Sequence, residues 1–168
     1  MKVVPVTDRS GKILDAKLLA ASEDVHRQLR GHLPPGEGYI RRMKEVFDGG
    51  AEMAVVVVDG KVAGITVYRM LERTFSGREL YCDDLVTDNR QRSTGVGHAM
   101  MEYMDRLAQE RDCDTFALDS GCQRQQAHKF YFRERLTITS FHFTRVLKGP
   151  PLSERVRGLP PTGTGSNI

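Results

Sequence analysis

At 168 residues the chain is long enough to bury a core of its own without disulfide or metal staples. Apolar residues at 39% against charged residues at 28% exclude a disordered chain, and no apolar run approaches the roughly 18 residues that cross a bilayer. A formal charge of +3 helps attract an anionic ligand but is too diffuse to argue for nucleic acid.

In chain order, "KVVPVTD" reads as a first strand that Pro5 pushes to a sheet edge. Apolar residues at helical intervals predict a helix from Asp15 to about Leu33, ended by "PPGEG". "YIRRMKEVF" is a shorter helix closed by Gly49 and Gly50. Two β-rich runs then flank Asp59-Gly60, the dipeptide favoured by a tight hairpin turn. "RELYCDDLVTD" is a strand interrupted by two acids. From Thr94 to Arg111 the chain is helical, with Val96, Met100, Met104 and Leu107 on one stripe and Asp105, Glu110 and Arg111 outside. "DTFALDSG" is a strand, "QRQQAHKFYFRER" a helix and "LTITSFHFTRVL" a final strand. After residue 147 the Pro/Gly-rich stretch 148–168 reads as a tail. The order predicts a mixed α/β domain over residues 1–147 with a central sheet.

Cys82, Cys113 and Cys122 are odd in number and lack CxxC spacing. They predict neither a disulfide framework nor a zinc site, and a reducing cytoplasm is expected. The opening "MKVVPVTDRSGK" carries no secretion signal.

The stretch Arg92-Ser93-Thr94-Gly95-Val96-Gly97 lies between a strand and a helix. Glycines there let a backbone approach a ligand closely, and the first helical N–H groups with the helix dipole suit a phosphate. Arg92 adds a charge, and Ser93 or Thr94 a cap or an oxygen contact. A Walker-type loop would need Gly-Lys-Ser/Thr, and a dinucleotide fingerprint a third glycine; both are missing. What remains is Arg-x-x-Gly-x-Gly, which alone could also be a simple helix start.

With its neighbours the motif says more. Over residues 1–147 the chain resembles the GNAT superfamily of acyl-CoA-dependent N-acetyltransferases: the Arg-x-x-Gly-x-Gly loop, the preceding Leu85-Val86-Thr87, and Ala127-His128-Lys129-Phe130-Tyr131 match its pattern. The resemblance implies a single α/β (α+β) domain with a mixed, mostly antiparallel twisted sheet of about six to seven strands and about four helices. It implies acetyl-CoA as acyl donor and no metal. Leu85, Val86 and Thr87 would hold the pantetheine arm, Arg92, Ser93, Thr94, Gly95, Val96, Gly97 and His98 the pyrophosphate, and Arg124 and His128 a further coenzyme contact. Two departures stand out: Arg124 replaces a frequent Asn, and Arg135 lies near where a glycine is common.

Acetyl transfer needs a deprotonated amine, a polarised thioester carbonyl and a protonated leaving thiolate. Asp83 and Asp84 are candidates to hold and deprotonate the amine; plain strand alternation puts them on opposite faces, Asp84 being favoured and Glu79 an outside choice. Tyr131 is the candidate acid for the thiolate, although one of Phe130, Tyr131 and Phe132 must pack inward. His128 has no partner in view that would make it a base, His142 alternates with Phe141 and Phe143 as a strand residue facing solvent or a dimer partner, and Cys82 has no partner that would make it a nucleophile. The expected acceptor is the primary amine of a small molecule, attacked directly in a ternary complex. No membrane or nucleic-acid partner is expected, and the resemblance leaves room for a homodimer. Acetylation of a protein Nα or Lys, or of aminoacyl-tRNA through Arg41, Arg42 and Lys44, is the second reading. A non-catalytic acyl-CoA-binding module is the third.

Overall fold

The computed structural model describes residues 1–150; the expected tail from 151 onward lies outside the described residues. Two compact units divide the chain, Met1–Leu118 and Asp119–Ile168. The first contains one five-stranded sheet in sequential order, β1 (Lys2–Pro5), β2 (Ala51–Val58), β3 (Lys61–Arg73), β4 (Gly77–Thr87) and β5 (Thr115–Leu118). All neighbours are antiparallel except β4 and β5, which run parallel. The mixed α/β class therefore holds with fewer strands than expected.

Local chemistry explains most boundaries. Pro5 sits in an edge strand, where a missing N–H costs no ladder bond. Asp59 and Gly60 both take positive φ, 49° and 75°, as the hairpin turn between β2 and β3 requires. The long helix expected from Asp15 is two: α1 (Ala16–Ala21), capped by the Asp15 carboxylate on Leu18 N–H at 2.8 Å, and α2 (Glu23–Leu29). They part at Ser22, whose buried hydroxyl donates to Leu19 O at 2.6 Å; such side-chain bonding to the preceding turn bends helices. Next comes α3 (Glu37–Asp48), which ends at Gly49 and Gly50 as expected.

Two apolar clusters sandwich the sheet. One joins Leu19, Val25, Tyr39, Met43 and Phe47 of α1–α3 to Ile65 and Val67 of β3. The other joins Val96 and Met100 of α4 (Val96–Glu110) to Val56 and Ala63. Gly64 sets how closely α4 approaches: a Cβ there would stand 2.6 Å from Val96 Cγ1 and 3.0 Å from Met100 Cε.

The second unit holds α5 (Gln125–Arg133), as the sequence predicts. The strand predicted over residues 136–147 does not form. Arg135 takes φ 67°, the left-handed conformation that favours glycine after a helix. Beyond it Ile138, Phe141, Phe143 and Leu147 are exposed. β-rich composition makes a strand only where a ladder partner accepts its backbone.

Replacing Gly64 by Val should push the first turn of α4 off β3 and destabilise the protein by about 1–3 kcal/mol, the usual cost of overpacking a filled core. Equilibrium urea denaturation measures it, and an unchanged midpoint would show that the contact yields freely.

Candidate active site

The two acids of "LYCDDLVT" lie at an irregularity in β4. Val67 pairs with Asp84 and Tyr68 with Cys82, so Asp83 is an extra residue, a β-bulge. The bulge resets the alternation. Cys82 meets Thr66 Oγ1 at 3.5 Å, on the face where Thr66 donates to Met104 Sδ of α4. Asp84 meets α2 on the other face. Asp83 receives Arg69 Nε at 2.8 Å and Nη2 at 2.6 Å, and Arg69 also donates to Gly49 O at the end of α3. The acids therefore share the α1–α3 face, which corrects the expectation of opposite faces.

Asp84 closes a chain of buried polar groups. Its Oδ2 lies 2.8 Å from His26 Nε2, and its Oδ1 accepts Arg30 Nε at 2.7 Å. His26 Nδ1 lies 3.0 Å from Tyr39 Oη, which lies 3.1 Å from Ser22 Oγ. Counting protons orients the chain. Leu19 O can only accept, so it takes the one hydroxyl proton of Ser22. Tyr39, whose phenol burial pushes up to about 12, keeps its proton and has Ser22 Oγ and His26 Nδ1 beside it to receive that proton. Asp84 Oδ2 can only accept, so His26 Nε2 donates to it.

Burial raises the pKa of Asp84, but the bonds and charges of His26 and Arg30 outweigh it and hold the carboxyl below its ordinary value. Asp84 is thus a fixed anion, better suited to gripping a cation than to keeping a proton. Glu79 is buried and bound to Arg73 Nε at 2.9 Å. Cys82 is no nucleophile: burial pushes its thiol up to about 12.

Among the described residues, β4 beyond the bulge has one strand neighbour. β5 ends at Leu118, opposite Cys82, so the stretch from Asp83 to Thr87 pairs with β3 alone. Its side chains are committed: Leu85 packs with the Val96 cluster and Val86 with the opposite one, leaving backbone edge groups to meet a ligand. Asp88 ends the strand; its N–H reaches Ala63 O at 2.8 Å, and its carboxylate accepts Arg90 N and Arg90 Nη2 at 3.0 and 2.7 Å.

A short 3-10 turn, Asn89–Gln91, leads into the loop. Ser93 and Gly95 take φ of 63° and 89°, and no side chain caps α4. Ala99 N–H bonds Gly95 O, so the N–H groups of Val96 and Gly97 precede the first bonded turn. Arg92, Ser93, Thr94 and Gly95 are exposed; Thr94 Oγ1 donates to Gln91 O at 2.7 Å. The Val96 side chain is core, so only its backbone can face a ligand. His98 is exposed and lies 3.7 Å from Glu102.

In the second unit Arg124 precedes α5, its N–H bonded to Gly121 O at 2.9 Å. His128 Nε2 donates to the same carbonyl at 3.0 Å, tying the helix to the turn before it. Tyr131 is half-buried beside Phe130, ring centroids 5.5 Å apart. His142 Nδ1 lies 2.6 Å from Asp119 Oδ2.

Among the described residues no group of three or more His, Cys, Asp or Glu could hold a metal, and no helix is long and apolar enough to cross a membrane. The supporting partners of the acids, His26, Arg30, Tyr39 and Arg69, were missed in the sequence. Only the i, i+4 spacing of His26 and Arg30 hinted that both point one way.

The model of the "Acetyltransferase (GNAT) family" matches residues 19–136. The chain belongs to that family. A curated relative, "Uncharacterized N-acetyltransferase YhdJ" of Bacillus subtilis (strain 168), is 36% identical over 70 residues, 41% of this chain and 49% of that protein, so the match spans about half of its length. Among solved structures, aminoglycoside N-acetyltransferase AAC(6')-Iy in complex with CoA superposes with a TM-score of 0.73 at 13% identity, over 88% of this chain and 95% of that one. A ribosomal-protein-alanine N-acetyltransferase from Brucella melitensis biovar Abortus 2308 gives 0.65 at 15%, over 89% and 100%. At such identities these two establish the GNAT fold alone.

Two outcomes test the electrostatics of this GNAT site. Tyr39→Phe leaves His26 Nδ1 and Ser22 Oγ without their partner and should cost about 1–3 kcal/mol in urea denaturation; a cost near zero would show that the buried polar chain adds nothing to stability. The bond from Arg90 holds the Asp88 carboxyl near a pKa of about 2, against 3.8 ordinarily. A depressed carboxyl stabilises the fold fully above its unfolded pKa and loses that contribution as pH falls through the folded one. Asp88→Asn should therefore lower stability at neutral pH and flatten its decline between about pH 4 and 2, followed by thermal denaturation across pH. An unchanged acid slope would remove Asp88 from this role.

Proposed function

We propose that this GNAT chain is an acetyl-CoA-dependent N-acetyltransferase acting on the primary amine of a small molecule by direct attack in a ternary complex. The observation that carries the proposal is one continuous track. A strand edge left open beyond the bulge runs through a loop with two left-handed residues to the uncapped start of a helix. An extended amide-bearing arm ending in a pyrophosphate fits such a track: edge groups of Leu85, Val86 and Thr87 bond the arm, and the Val96 and Gly97 N–H groups with Arg92 bond the phosphates. Ser93, Thr94 and His98 flank them, and the family resemblance assigns Arg124 and His128 a further coenzyme contact. When bound, acetyl-CoA supplies the activated carbonyl that the amine attacks, the C–N bond forming as the C–S bond breaks.

Asp83 and Asp84 hold the acceptor ammonium, and its proton leaves through the carboxylate or a water beside it. The depressed pKa of Asp84 supports the grip more than the proton removal. Tyr131 hands its phenolic proton to the departing thiolate. A tRNA acceptor fits less well, because Arg42 pairs with Glu45 and Lys44 with Asp48 on the same helix, which dilutes the basic cluster.

Calorimetric titration with acetyl-CoA should show saturable binding to the wild type. Gly95→Trp should abolish it, since φ 89° disfavours any side chain and a large one would obstruct the phosphate approach. No wild-type binding would reduce the loop to a helix start. Tyr131→Phe should keep binding and lower kcat by about 10²-fold or more, the usual contribution of a general acid; unchanged turnover would free Tyr131 of that role.

A further inference from the structure

Neither carboxylate at the bulge is unpaired. Asp83 is gripped by two nitrogens of Arg69, and Asp84 by Arg30 and His26. Arg30 also donates to Asp83 O at 3.3 Å, so two guanidinium groups converge on one pair of residues. Each Asp–Arg pair sums to zero, so the two acids leave no surplus negative charge at the bulge. Glu23 and Asp88 are paired as well: Glu23 accepts Gly36 N–H at 2.9 Å and lies 3.5 Å from Arg27, and Asp88 is bound by Arg90.

The arginines are also the more open members. Arg30 is 35% exposed against 13% for Asp84, and Arg69 is 29% exposed against 26% for Asp83. At Asp84 the guanidinium is clearly the more open partner and at Asp83 the two are nearly equal, so a solute reaching the bulge meets guanidinium as well as carboxylate. For a polycation this is a poor reception, because no surplus negative charge repays the loss of its hydration. A guanidinium has five N–H donors in a planar fork, and one paired to a single carboxylate still has donors for a second oxyanion.

We infer that the acceptor is an amine carrying its own oxyanion, with Arg30 and Arg69 receiving the oxyanion while Asp84 or Asp83 holds the ammonium. This rests on the acetyltransferase reading and narrows its substrate class: amino-acid-like or phosphate-bearing amines rather than polyamines.

Matched acceptors test it. Thiol release from acetyl-CoA is compared for L-lysine against cadaverine and for glucosamine 6-phosphate against glucosamine, with spermidine as the polycation. For at least one pair, the oxyanion-bearing member should show kcat/KM at least about tenfold higher than its counterpart and than spermidine. Arg69→Gln should raise KM for that member with little change in kcat and shrink the ratio, while Arg69→Lys keeps part of it. Calorimetry of the same compounds on the coenzyme A-loaded protein gives a readout independent of turnover, with the same order expected. Spermidine, cadaverine or glucosamine binding and reacting as well as the anionic members would overturn the inference and leave the acetyltransferase reading standing. Thiol release with none of the acceptors, on protein that binds acetyl-CoA, would remove that reading and this one with it.

Discussion

One extra residue in a strand organises this molecule. Without the bulge at Asp83, Cys82 and Asp84 would share a face, and either a carboxylate would sit against the methionines of α4 or a thiol would replace it beside α2. The bulge sends the small apolar group to one layer and the anion to the other, and it brings Asp83 to the same side as Asp84. The Cys82 thiol even donates to Asp84 O across the kink at 3.4 Å, occupying a carbonyl beside the irregularity. Bulges bend strands and increase local twist. Here the parallel pairing with β5 ends at the residue just before the bulge.

The consequence is a strand with two characters. From Glu79 to Cys82, β4 is sandwiched between β3 and β5, with Leu80 and Cys82 fully packed. From Asp83 onward it keeps one partner and leads into the loop and α4. Gly64 and the Asp88 carboxylate hold that second half in place, the first by letting the start of α4 lie against β3, the second by tying the end of β4 to Arg90. Rigid flanks and an open edge are what a strand needs in order to receive an extended ligand without losing its own register.

The legible part of this was set by short-range rules. Asp59-Gly60, Pro5 and Gly49-Gly50 each require a particular backbone, and each appears where the sequence places it. The Arg-x-x-Gly-x-Gly stretch was legible for the same reason, since Gly95 at a left-handed φ is a local demand. What could not be read depends on distant partners. Two adjacent acids in a strand look like opposite faces until the neighbour's register is known. Ser22 looks like any helical serine until Tyr39 is placed over it. "LTITSFHFTRVL" has strand composition, but a strand is a property of two segments, and one segment cannot announce its missing partner.

The buried polar chain shows why the acids are held so firmly. An anion at the edge of a core is stable only if its charge is answered, and Asp84 is answered twice, by the Arg30 guanidinium and by the Nε2–H of His26. That arrangement exchanges basicity for position. A carboxylate whose proton affinity is lowered on both sides makes a weak base but a permanent counter-charge, and its bonds to α2 carry its orientation back through Tyr39 to α3. In the proposed role of holding an acceptor ammonium, these two acids contribute position more than basicity.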